Sequence, residues 1–125
     1  MVKKTIMVVD DEPDIRYTVK YGLEGLDKDI KVIDVESGGQ CLAMLEKQQI
    51  PDLILLDIMM PSMNGWEVQR RLKENIAWRN IPVVFLTAVG DPTSKVIGSV
   101  TSRDCIEKPF KLPELKQRID KILKK

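Results

Sequence analysis

Leu53-Ile54-Leu55-Leu56-Asp57 is an unbroken apolar tetrad that stops at a carboxylate. Pro51-Asp52 marks its start. A short apolar run without polar alternation reads as a strand buried on both faces, which is the habit of parallel sheets covered by helices. The same design recurs on either side. Ile6-Met7-Val8-Val9 runs into Asp10-Asp11, Val83-Val84-Phe85-Leu86 runs into Thr87, and Cys105-Ile106 is followed one residue on by Lys108-Pro109. If these runs are neighbouring parallel strands, their polar groups meet at one edge of the sheet, where open α/β folds bind ligands.

The segments between the runs have helical patterning. After a strand over Thr5–Val9, Pro13 opens a helix with Asp11 and Glu12 near its first turn, a favourable place for Pro and for acids. Ile15, Val19, Leu23 and Leu26 recur there at helical spacing. Ile30–Val35 reads as a strand, and Ser37 caps a helix carrying Cys41, Leu42 and Leu45. Pro61-Ser62-Met63-Asn64-Gly65 is a loop before a helix with Val68 and Leu72. Ile81-Pro82 opens the fourth strand, and Asp91-Pro92 starts a fourth helix that Gly98, Ser99, Thr101 and Ser102 weaken. A brief fifth strand over Asp104–Ile106 precedes a helix from Leu112-Pro113 with Leu115, Ile119, Ile122 and Leu123. The pattern is a βα unit repeated five times: an α/β fold with a parallel sheet and helices on both faces.

The chain has 125 residues, a size that suits one domain, and no linker or internal repeat divides it. A net charge of +1 gives no whole-molecule attraction to nucleic acid or membrane. The lysines at the C-terminus suit the dipole of a final helix. Cys41 and Cys105 lack CxxC spacing and read as buried free thiols in a reducing cytoplasm. No signal-peptide core or membrane-length apolar stretch is present. With 0 histidines, His-based catalysis and most zinc sites are excluded.

Taken singly, the polar groups have plain structural readings: Asp10-Asp11 as a helix cap, Asp57 as a turn residue, Thr87 satisfying a loop, Lys108 on the surface. Their place at the same ends of successive strands calls for a common reason. Asp10, Asp11 and Asp57 outnumber Lys108. Two carboxylates about 4 Å apart repel by roughly 4 kcal/mol at an effective dielectric near 20. A divalent cation would relieve the surplus, and an all-oxygen donor set selects a hard ion, Mg²⁺ with Mn²⁺ as the alternative. Mg²⁺ uses few carboxylates, so one remains free to attack phosphorus, with a lysine and a hydroxyl at hand for the transferred group.

These residues resemble the receiver domain of two-component response regulators, the chemotaxis-regulator-like family. The resemblance covers essentially the whole chain. It rests on Val8-Val9-Asp10-Asp11-Glu12, Leu55-Leu56-Asp57-Ile58-Met59-Met60-Pro61, Met63-Asn64-Gly65, Leu86-Thr87-Ala88 and Lys108-Pro109-Phe110. It implies a flavodoxin-like, doubly wound five-stranded sheet of order 2-1-3-4-5, an order associated with this family's chemotaxis member. It implies a single receiver domain over residues 1–125, with no output domain in this chain. Asp57 would accept a phosphoryl group from a phosphohistidine of a histidine kinase or histidine phosphotransfer protein. Asp11, Asp57 and the Met59 carbonyl would ligate Mg²⁺ directly, and Asp10 through water. Thr87 and Lys108 would contact the phosphoryl group, and the Lys108–Pro109 bond would be cis. The expected protein is a cytoplasmic switch rather than a turnover enzyme. It would touch no nucleic acid or membrane within this chain, and its downstream protein target is not given by the sequence.

Cys105 departs from the family, which usually carries Tyr or Phe there, so coupling between Thr87 and an aromatic ring is not available. Thr101-Ser102-Arg103 replaces the common Gly-Ala. Met59 and Val89, two residues after Asp57 and Thr87, are apolar and cannot orient an attacking water, so slow self-dephosphorylation is expected. Rival readings are a pseudo-receiver binding module, supported by Cys105 but opposed by the intact acidic and lysine set, and an aspartate-nucleophile phosphatase, which would need an acid where Met59 stands. A flavodoxin-like electron carrier is disfavoured by the acidic Asp10-Asp11-Glu12 loop.

Overall fold

Residues of β1 (Lys4–Val9) alternate between two cores. Ile6 and Val8 enter one, Met7 and Val9 the other, and all are fully buried. This is why the run is apolar without interruption. The chain, as a computed structural model, describes residues 3–88 and 104–123. Further elements are α1 (Pro13–Leu26), β2 (Ile30–Val35), α2 (Gly38–Glu46), β3 (Leu53–Asp57), α3 (Gly65–Lys73), β4 (Val83–Ala88), β5 (Asp104–Lys108) and α4 (Leu112–Leu123). The 5 strands are all parallel, in the order β2-β1-β3-β4-β5. The expected α/β class and strand order are therefore present. The expected helix from Asp91-Pro92, Val89 and Thr101-Ser102-Arg103 lie outside the described residues.

One core packs Val19 and Leu23 of α1 with Leu115, Ile119 and Leu123 of α4. The other packs Cys41 and Leu45 of α2 with Val68 and Leu72 of α3. Trp66 joins the second core with its ring 4.7 Å from that of Phe85, and Trp78 is also packed against it. Leu26 departs from its expected core role: it ends α1 53% exposed. Cys41 is buried, and burial pushes its thiol up to about 12, whereas Cys105 is only half-buried.

The strands run further than their apolar residues. β3 extends to Asp57, β4 to Ala88 and β5 to Lys108. Backbone pairing with the neighbour carries the chain past the last apolar side chain. Asp57 is paired with Leu86, Thr87 with Glu107 and Ala88 with Lys108. Asp57, Thr87 and Lys108 therefore sit on sheet backbone rather than on loops.

At the β2 edge, the outward backbone groups of Val32 are met by side chains. Lys4 N donates to Asp29 O and Asp10 N to Val35 O, so the odd-numbered carbonyls of this stretch face β1 and Val32 faces outward. Val32 N donates to Glu24 Oε2 at 2.9 Å, and Lys20 Nζ donates to Val32 O at 2.8 Å. Lys20 and Glu24, themselves 3.6 Å apart on α1, fill the place of a paired residue on an added strand.

Candidate functional site

Asp10 follows β1 directly and has no exposure. Its amide donates to Val35 O at 3.1 Å, and its Oδ1 accepts from Glu12 N at 2.9 Å. That bond ties the residue before Pro13, the helix-favouring first position of α1, so the turn from strand to helix is held by the Asp10 side chain. Asp10 Oδ2 is buried without a hydrogen-bond partner; it faces the Lys108 ammonium at 2.8 Å as an ion pair.

Asp57 ends β3 at 4% exposure. Burial, and next the charge of Asp10, push its carboxyl up to about 7 against the opposing pull of Lys108 and the Met59 N–H. Lys108 ends β5 and reaches across, with Nζ 2.8 Å from Asp10, 3.1 Å from Glu12 and 3.4 Å from Asp57. Its burial disfavours the ammonium, but the three acids outweigh that and hold its pKa above the ordinary lysine value. Asp11 is exposed at the rim. Ligand oxygens of Asp10, Asp11 and Asp57 lie within 4.8 Å of one another. The donors are all oxygen and the charge surplus is negative. The cluster thus fits a hard divalent cation such as Mg²⁺.

Above the cluster a cavity of about 340 Å³ is walled by Glu12, Ile15, Asp57, Met59, Ala88 and Lys108, with Pro109 beside them. Met59 is 66% exposed at this mouth. Thr87 is buried, and its Oγ1 donates to Ala88 O at 3.3 Å, a local backbone partner. The Lys108–Pro109 peptide bond is cis, the isomer the resemblance implied. Cys105 lines a neighbouring cavity of about 380 Å³ together with Thr87 and Arg118.

Asp10, Asp11, Asp57 and Lys108 are thus brought together, with Thr87 one strand position from the lysine's partner. Glu12, the lysine's third carboxylate, was not anticipated as a site residue; its only signal was a third acid in the Asp10-Asp11-Glu12 run. Arg16 was also missed. Its Nη1 donates to Asp10 O at 2.8 Å and its Nε stands 3.4 Å from Asp34 Oδ2. The available signal was a charged residue in phase with Val19 and Leu23 on the face of α1 that enters the core.

Fold and site define a doubly wound α/β domain whose strand ends hold a cation-ready acidic pocket next to a lysine. The description of the response regulator receiver domain matches residues 6–120, and the chain belongs to that family, the receivers of two-component signalling. It is 39% identical to the phosphate regulon transcriptional regulatory protein of Pseudomonas aeruginosa, over 100% of this chain and 54% of that protein. It is 36% identical to histidine kinase P4 of Formosa agariphila, over 97% of this chain and 9% of the kinase. The chain spans about half the length, or less, of the curated relatives it matches. Among solved structures, a putative response regulator from Chloroflexus aurantiacus aligns with a TM-score of 0.89 at 27% identity, covering 98% of this chain and 99% of that one. A response regulator receiver domain protein from Methanospirillum hungatei aligns at 0.82 and 36%, covering 96% and 94%. Receiver domains use Mg²⁺ at an acidic pocket of this kind. Among the described residues no helix is long and apolar enough to cross a membrane.

Proposed function

We propose that Asp57 accepts a phosphoryl group from a phosphohistidine of a partner kinase or phosphotransfer protein, and that the product switches protein contacts or is passed on. The observation that carries this is the Lys108 ammonium standing between Asp10 and Asp57 at the mouth of an open cavity. A carboxylate oxygen of Asp57 attacks phosphorus, the P–N bond breaks, and the imidazole leaves with the electron pair and takes a proton. Lys108 supplies positive charge beside the incoming oxygens, and Glu12 and Asp10 hold the ammonium in place. Mg²⁺, when bound, neutralises charge on the acids and on the phosphoryl group. Asp11, Asp57 and the Met59 carbonyl would hold it directly, and Asp10 would act through water. Thr87 exchanges its bond to Ala88 O for one to the phosphoryl group.

The domain acts in the cytoplasm as a switch, not as a turnover enzyme. Met59 at the mouth and Val89 in the sequence are both apolar, and neither side chain can orient a hydrolytic water, which favours a long-lived aspartyl phosphate. Cys105 replaces an aromatic reporter, so output runs through other groups or through relay of the phosphoryl group.

Intact mass after exposure to Mg²⁺ and a small phosphodonor tests the reading. Wild type gains one phosphoryl group and Asp57→Asn gains none. A gain in neither protein leaves the pseudo-receiver reading standing instead, and a gain in both misplaces the acceptor.

A further inference from the structure

Arg16 occupies the first turns of α1 and is only 9% exposed, a setting arginine tolerates only when paired. Both of its partners lie on other segments: the carbonyl of Asp10 after β1, and the carboxylate of Asp34 in β2. A single planar guanidinium therefore bridges the end of β2 to the start of the acidic turn. The remaining groups of Asp10 are already committed. Its amide bonds Val35, its Oδ1 accepts from Glu12, and its Oδ2 faces Lys108. The carbonyl held by Arg16 completes the set, and it is the oxygen of the Asp10–Asp11 peptide. Holding that oxygen fixes the peptide plane, and the plane sets the direction in which Asp11 leaves the backbone. Asp11 is exposed, so packing does little to aim it.

Taking the acidic cluster as a divalent-cation site, on which the following rests, we propose that Arg16 is the positioning residue of that site: its fork between Asp34 and the Asp10 carbonyl aims the Asp11 carboxylate at the cation. Arg16 is a positive charge close to a cation site, and it lines the same cavity of about 520 Å³ as Asp11. By Coulomb's law alone, neutralising it tightens Mg²⁺ binding. As a positioning residue, its loss weakens binding. Lysine keeps the charge but has no planar fork to serve both partners.

The test is calorimetric titration of the full chain with Mg²⁺, for wild type, Arg16→Met and Arg16→Lys, at a temperature where melting curves show each protein folded. Both variants should bind about ten- to a hundredfold more weakly, the usual scale for losing a group that orients a metal ligand. Tighter binding by Arg16→Met would reduce the residue to a Coulombic bystander. Wild-type affinity in Arg16→Lys would show that charge without the fork suffices. Either result overturns the proposal, and Arg16→Lys stands as the decisive arm if Arg16→Met does not fold. A wild type that takes up no Mg²⁺ removes the cation reading itself, and the positioning role with it; the wild-type arm reports that failure separately.

Discussion

Asp57 carries its chemistry because of where its strand stops. One residue earlier the position is core, and one later the chain has left the sheet. At that boundary, burial and the neighbouring Asp10 raise its pKa to about 7. The raised value means that the metal-free native state keeps a proton that the unfolded chain, near 3.8, has released. The associated stability is fully present below the unfolded value and is lost as pH rises through about 7. Without metal, the protein should therefore melt lower at pH 8 than at pH 5.5, and Asp57→Asn should flatten that difference. Mg²⁺ competes with the same proton, so its Kd should rise as pH falls from 8 to 6, by up to about tenfold per unit below the pKa. A melting temperature independent of pH in this window would refute the assignment. At this scale the sequence was readable wherever a reactive side chain ended an apolar run, as at Asp10, Asp57, Thr87 and Lys108. Glu12 and Arg16 were not readable, because their roles depend on which atoms cross between segments. Nothing in the spacing of residues 12 and 108 announces a contact of 3.1 Å.

At the scale of elements, the loop after β3 folds back to bring the start of α3 against the end of that strand, and the close approach falls on Gly65. Its amide donates to Ile58 O at 2.8 Å, and Asn64 caps the helix by accepting from Glu67 N at 3.0 Å. A Cβ on Gly65 would stand 2.6 Å from Asp57 O and 2.8 Å from Ile58 Cα, both backbone atoms that cannot rotate away. Gly65→Ala should cost about 1–3 kcal/mol, the usual range for overpacking. It should also disturb phosphoryl uptake at Asp57, because the strain falls on the acceptor's own carbonyl. Chemical denaturation and the mass assay would measure the two effects; a fully stable, fully active variant would remove the steric argument. The Met63-Asn64-Gly65 loop was visible from composition, but its reason was not, since the reason is a distance to β3. Strand ends were legible only as far as their apolar residues reached, and the pairings beyond them belong to the neighbours' backbone. β2 was read as a strand despite Lys31 and Asp34, which its position at the sheet edge tolerates.

For the whole molecule, the sequence indicated a parallel sheet because uninterrupted apolar runs need two covered faces. The strand order came only from the family resemblance, since local pattern does not say which strand lies beside which. The edge of that sheet is the feature with the widest reach. Lys20 and Glu24 supply the donor and acceptor that a further strand would bring to Val32. Replacing both with alanine removes two hydrogen bonds between charged side chains and partly buried backbone and should cost monomer stability about 1–3 kcal/mol. It should also raise self-association at high concentration, visible by sedimentation velocity; a variant that stays monomeric throughout would show that the edge is protected otherwise. Main-chain pairing is blind to side-chain identity, and a strand edge will accept almost any extended peptide. With Val32 occupied from within, a partner arriving at this side meets side chains rather than that backbone. Its affinity then depends on its own side chains rather than on backbone pairing.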